Sequence, residues 1–183
     1  MAHTGTFVER VKGALMLDPQ TYVDVAQDEG ATGQAMTVVA LATILSGARG
    51  ATSGALGIVS GIVWALLGWA VFALAAYMLG TTLLKGRETR ASFGQVLRAT
   101  GFAYAPSMFS IFVLIPFMGF FVFLMVIFWS FAASIVSLQQ AFQVSTVRAL
   151  VIALVSVLVI GIVLSLVFSA FGLVLPTGTL VQV

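Results

Sequence analysis

Residues able to do chemistry are few in this sequence and stand apart from one another. His3 is the lone histidine and lies in a polar amino terminus with no second ligand beside it. A metal site needs several ligands and a supporting shell, so His3 reads as non-functional. There is no cysteine, which excludes disulfides, thiol chemistry and cysteine-ligated metal. Asp18, Asp24, Asp28 and Glu29 form a small acidic group. It reads as a solvated face, and a divalent cation fits only if the fold gathers these carboxylates. No serine sits in a GxSxG elbow, and no glycine-rich loop ends in GKS or GKT. The expectation is a protein that is not an enzyme and takes neither cofactor nor metal. No basic field suggests nucleic acid as a partner.

Two segments remain. Tyr104-Ala-Pro106, followed by Ser107, lies inside an apolar tract. Proline there removes a backbone hydrogen bond and bends the helix, and Tyr104 or Ser107 can satisfy freed groups or line a groove. Pro116 and Trp129 belong to the same candidate groove or kink. The second segment is the basic loop with Lys85, Arg87, Arg90 and Arg98, echoed by Arg148. These five are candidate contacts for lipid head groups.

Positioning falls to helices. The composition is 61% hydrophobic and 8% charged, with a mean hydropathy of +1.15, whereas soluble domains carry about a quarter charged residues. The chain therefore reads as an all-α membrane protein. Residues 1–30 form an amphipathic amino-terminal region, 31–175 the transmembrane domain and 176–183 a short tail. Phe7, Val8, Val11, Ala14 and Leu15 recur at helical spacing, predicting a short amphipathic helix in the interface or packed on the bundle. Asp18-Pro19 supplies a cap and first turn for a second short helix. No uninterrupted apolar core occupies the first thirty residues, so no cleaved signal peptide is expected.

Five spans follow, near 31–48, 55–84, 101–115, 120–138 and 149–171. The first is roughly 27 Å long at helical rise, the second roughly 45 Å. Small residues recur at four-residue spacing: Gly57 with Gly61, Ala76 with Gly80, and Gly161 with Ser165 and Ser169. Such stripes let helices approach closely in lipid, within the chain or between copies. The span interiors carry no Asp, Glu, Lys, Arg or His, which argues against ion-coupled transport.

Orientation follows from charge. With five spans and the amino terminus inside, Arg10, Lys12, Lys85, Arg87, Arg90, Arg98 and Arg148 face the cytoplasm and only Arg49 faces out. That division obeys the positive-inside rule.

Phe93 to Leu154 resembles bacterial members of the Yip1 family of integral membrane proteins. The resemblance is carried by Phe93, Leu97, Gly101, Tyr104-Ala-Pro106, Pro116, Gly119, Trp129 and the stretch from Ser145 to Ala149. It implies a five-span all-helical domain with a cytoplasmic amino terminus in the inner membrane of a prokaryote. Eukaryotic relatives act in vesicle trafficking and are associated with Rab GTPases and membrane shaping. The DLYGP-like motif of their long amino-terminal region does not occur here, so Rab binding is not carried over. The resulting expectation is a non-enzymatic protein that organises membrane lipid or protein partners through homo-oligomerisation. The alternative is a passive transporter, channel or lipid-translocating protein with a groove near Tyr104 and Pro106.

Overall fold

The computed structural model describes residues 5–47, 54–86 and 89–170. His3, Arg49, Arg87 and the tail at 176–183 fall outside the described residues. Among the described residues seven α-helices occur: α1 (Phe7–Leu15), α2 (Pro19–Gln27), α3 (Ala31–Ser46), α4 (Gly54–Thr81), α5 (Phe93–Phe102), α6 (Gly119–Phe142) and α7 (Thr146–Ala170). A 3₁₀ helix, Ala105–Leu114, stands between α5 and α6.

Local chemistry sets several boundaries. Thr6 and Glu9 form a reciprocal capping box that starts α1. Asp18 accepts from the backbone N–H groups of Gln20 and Thr21, and Pro19 takes the first helical position of α2. Ser92 and Gln95 form a second capping box and open α5. Each device satisfies amide groups that a helix start leaves free.

Pro106 explains the change of helix type. A proline in α-helix clashes with the carbonyl four residues back, here that of Phe102, the last residue of α5. Beyond it the chain tightens: Tyr104 N–H donates to the Gly101 carbonyl and Ser107 N–H to the Tyr104 carbonyl, both three residues back. Ten residues of 3₁₀ helix follow, far beyond the usual three or four. The bend expected at Pro106 is thus a switch of helical pitch.

Among the described residues four stretches are long and apolar enough to cross a membrane: Gly54–Thr81, Phe93–Leu114, Gly119–Phe142 and Thr146–Val167. The second of these joins α5 to the 3₁₀ helix. α3 has 16 residues, or roughly 24 Å at 1.5 Å per residue, shorter than a hydrocarbon core of about 30 Å.

α3 packs on α4, α4 on α7, α7 on α6, α6 on the 3₁₀ helix, and the 3₁₀ helix back on α3. The five elements form a closed ring. α5 packs on α3, α4 and α6 and fills one half of it. That half also carries the connections with Lys85, Arg90 and Arg148, and is called the basic end below. Two apolar clusters fill it. One joins Tyr22, Val25, Val38, Trp69 and Phe102, the other Phe72, Leu138, Phe142 and Ile152.

α1 and α2 do not lie apart from the bundle. Arg10, Ala14, Tyr22, Val25 and Ala26 are buried, and α2 packs on both α5 and α6. The indole Nε1 of Trp129 donates to the Leu15 carbonyl at 2.9 Å. Trp129 stands 13 residues from the end of α6, so the α1–α2 turn reaches roughly 20 Å up that helix from the basic end. Of the two readings of α1, interfacial or packed on the bundle, the described residues fit the second.

Candidate functional site

The ring leaves space at its centre, on the side of α5 away from the basic end. A cavity of about 460 Å³ opens between the end of α3, the 3₁₀ helix, α6, α7 and Phe72 of α4. Tyr104 and five serines (Ser46, Ser107, Ser110, Ser130 and Ser134) contribute to its wall. No charged side chain lines it. The rest is apolar, with Phe72, Phe131 and Ile160 among the walls. Phe123 and Ile127 also line it while being 47% and 45% exposed. They place its rim at the apolar outer face of α6.

The serines differ in what remains free. Ser46 donates to the Ala42 carbonyl, at 2.7 Å, and lies 3.3 Å from the Ser107 carbonyl. Ser134 donates to the Ser130 carbonyl. The Ser107 and Ser130 hydroxyls share a hydrogen bond of 3.0 Å, tying the 3₁₀ helix to α6. The hydroxyls of Tyr104 and Ser110 make no hydrogen bond to another described residue, and one of the Ser107–Ser130 pair keeps a proton to donate. Ser156, fully buried on the stripe of α7 that carries Ile152 and Ile160, also lacks a partner among the described residues.

The sequence reading grouped Tyr104, Pro106, Ser107, Pro116 and Trp129 as one candidate groove or kink, and the structure divides them. Tyr104 and Ser107 line the cavity. Pro106 is buried behind it as the cause of the 3₁₀ turn. Pro116 sits in the exposed turn before α6, beside Phe117, which is 100% exposed with φ of 65°. Trp129 faces away, toward Leu15, with its ring 5.3 Å from that of Phe109. Ser46, Ser110, Ser130 and Ser134 were missed. Serine in a membrane helix commonly bonds its own backbone, so only the neighbouring helices show which of them face a void.

The basic residues also divide. Lys85, Arg90 and Arg148 are exposed and unpaired among the described residues. Arg98 needs a correction. It is 7% exposed, and its Nε and Nη2 donate to the Ala26 carbonyl at 3.1 and 2.6 Å, with Nε also 3.2 Å from the Val25 carbonyl. These are carbonyls of the last turn of α2, where a cation complements the helix dipole. In this position Arg98 is a clamp on α2 and is closed off from head groups.

Arg10, also 7% exposed, donates to Asp28 at 2.6 Å and to Gln34 at 3.0 Å. This is the one ion pair among the described residues. The Arg10 hydrogen bond holds the Asp28 carboxyl below its ordinary range, with a smaller contribution from the Gly30 backbone. Asp18 is also lowered, chiefly by its hydrogen bond from Thr21. Burial raises the Tyr22 phenol, whose O–H donates to the Ala14 carbonyl. The acidic group is not gathered into a metal site: among the described residues no three His, Cys, Asp or Glu side chains converge.

Small-residue stripes meet different fates. Ala76 and Gly80 pack inside the chain; a Cβ on Gly80 would stand 2.6 Å from the Phe142 ring. Gly61 faces Thr43 of α3. Gly161 has nothing within 4 Å of its would-be Cβ, and Ser165 and Ser169 beyond it are both exposed.

A chain whose described secondary structure is all helical and includes four membrane-length apolar stretches is a multi-pass integral membrane protein. The Yip1 domain matches residues 13–168, most of its length, and the chain belongs to the Yip1 family. Yip1-family membrane proteins are not known as catalytic enzymes. No curated protein and no solved structure matches the chain.

Proposed function

We propose that this protein is a non-enzymatic organiser of membrane lipid, working as a self-associating bundle. The observation that supports it is the outward stripe Gly161-Ser165-Ser169 on α7, which is exposed among the described residues while Ala76 and Gly80 of α4 are packed inside. Close backbone approach by a second copy is the use such a stripe has in lipid. Lys85, Arg90 and Arg148, unpaired beside the apolar girdle, suit anionic head groups at the same membrane surface. Five spans with the basic end in the cytoplasm of a prokaryote is the topology that fits the charge distribution.

Because the chain lacks cysteine, single cysteines give a clean test. Gly161→Cys and Ser165→Cys in native membranes should cross-link into dimers, while Phe128→Cys, 69% exposed on the outer face of α6, should not. Equal cross-linking at all three positions, or none, would sink the self-association reading.

A second reading, passage of a lipid or small solute near Tyr104 and Pro106, is favoured by one observation, the cavity itself. Trp69, Phe72, Phe102 and Leu138 fill the bundle between it and the basic end. The geometry therefore favours occupancy over a continuous path. Flux or lipid scrambling above that of empty vesicles, measured in reconstituted liposomes, would overturn that preference.

A further inference from the structure

The shape and polarity of the cavity go further than the question of passage. We propose that it is a binding site for an uncharged glycerolipid, of the diacylglycerol type, held by its hydroxyl and ester carbonyls. The inference rests on the reading of the Tyr104 region as a groove and adds the chemical class of its occupant.

Three observations carry it. First, the wall holds hydroxyls and no charge. A phosphate or ammonium group moved there would lose its hydration with no counter-ion to replace it, a cost of several kcal/mol per ion. An uncharged polar end does not meet that penalty. Second, donors stand ready. Tyr104 and Ser110 have no acceptor among the described residues, and the Ser107–Ser130 pair offers one more proton. A pure hydrocarbon would leave these hydroxyls without partners, which is unfavourable away from water. Ester carbonyls and a free hydroxyl supply acceptors. Third, the site has room and a way in. Its volume of about 460 Å³ lies within the range of small-molecule sites, roughly 300–1,000 Å³. That accommodates a glyceryl head and the first carbons of its chains. Phe123 and Ile127 on the rim are half-exposed on the apolar face of α6, where the acyl chains can continue into the surrounding lipid.

The location is consistent. Among the ring elements, α7 bridges α4 and α6, and the 3₁₀ helix that contains Pro106 supplies Ser107 and Ser110 to the cavity wall. The fully buried, unpartnered Ser156 hydroxyl lies one helical turn from Ile160, a residue of the wall.

The test uses the full chain in nanodiscs with a diacylglycerol carrying a photoactivatable group near the glyceryl end. Labelled peptides are mapped by mass spectrometry. Label should concentrate on 104–110 and 123–134, and unlabelled diacylglycerol should displace it about tenfold better than phosphatidic acid with the same chains. The double variant Tyr104→Phe/Ser110→Ala removes two donors while keeping side-chain shape. It should lower labelling about tenfold, while Leu158→Ala, on the outer face of α7, should leave it unchanged. Each variant's melting temperature is measured alongside. If the double variant unfolds, Ser110→Ala alone, expected to lower labelling about threefold, decides the matter. Label confined to the cavity but displaced equally by phosphatidic acid would overturn the uncharged class and leave the groove standing. Label spread evenly over the outer faces of α4, α6 and α7 would overturn both.

Discussion

Two arginines with nearly the same exposure show how one side chain can decide local structure. Arg98 holds three hydrogen bonds to the last turn of α2, and hydrogen bonds to charged groups contribute about 1.5–3 kcal/mol each. Arg98→Ala leaves the Val25 and Ala26 carbonyls buried without donors. It should cost about 3 kcal/mol in all, read as a lower melting temperature in detergent. Arg98→Lys should recover only part of that, because an ammonium cannot reproduce the planar fork. Arg10 acts through Asp28, whose carboxyl is depressed by that contact. Its folded pKa lies below the unfolded value of about 4. The pair's contribution is therefore present above pH 4 and is lost as pH falls through the folded value. Amide exchange in 7–27 should accelerate below that pH, and Asp28→Asn should abolish the acid step. An unchanged acid step in that variant would remove Asp28 as its cause. Gly101 is tighter still. A Cβ there would stand 2.7 Å from Ala35 Cβ and 2.8 Å from the Trp69 ring. The Ala35 Cβ is fixed to its backbone and the Trp69 indole is held by hydrogen bonds to the Leu97 carbonyl and the Thr100 hydroxyl, so Gly101→Ala should destabilise by about 2 kcal/mol despite alanine's better helix propensity, measured by denaturant titration.

At the scale of elements, α1 and α2 depend on partners far along the chain. Trp129 holds Leu15, Arg98 holds Ala26, and Tyr22 fills the space between with its hydroxyl on Ala14. Trp129→Phe deletes one neutral hydrogen bond and should cost about 1 kcal/mol. Its effect should appear as faster exchange in α1 and α2 with little change in α7. Combining it with Arg98→Ala should give less than the sum of the single losses, because both release the same unit. Additive losses would mean that α1 and α2 are held independently. Part of this architecture is legible in the chain. Thr6, Asp18-Pro19 and Ser92 announce helix starts, because a cap is a contact between residues two or three apart. Pro106 announces a break for the same reason. The docking of α1 against the middle of α6 has no such signature, since Leu15 and Trp129 are 114 residues apart.

At the scale of the molecule, the ring of α3, α4, α7, α6 and the 3₁₀ helix is apolar outside and inside. Ile162 and Leu166 of α7 are more than 60% exposed, as are Phe120, Phe121 and Phe128 of α6. In water such a surface would aggregate, whereas in lipid it is the expected outer face. The proposed topology, five spans with the amino terminus at the basic end, predicts a labelling pattern. Gly5→Cys and Thr146→Cys should react with an impermeant maleimide from one side of the membrane and Phe117→Cys from the other. Reaction of Gly5→Cys from the side of Phe117→Cys would overturn this arrangement.

The sequence by itself determined that this is a helical membrane protein, where most helices begin, where Pro106 interrupts one, and how the positive charge is distributed along the chain. All of these rest on hydropathy, spacing and contacts between near neighbours. Only the tertiary structure decided which face of each helix is lipid-facing. In a membrane helix both the core face and the lipid face are apolar, so hydropathy does not distinguish Gly80, packed on Phe142, from Gly161, facing outward. Only the tertiary structure turned Arg98 inward onto α2 while leaving Arg90 exposed, because a long flexible cation can reach either water or a nearby carbonyl. The cavity at Tyr104 belongs to no single segment. It exists because five elements close a ring that α5 fills only in part.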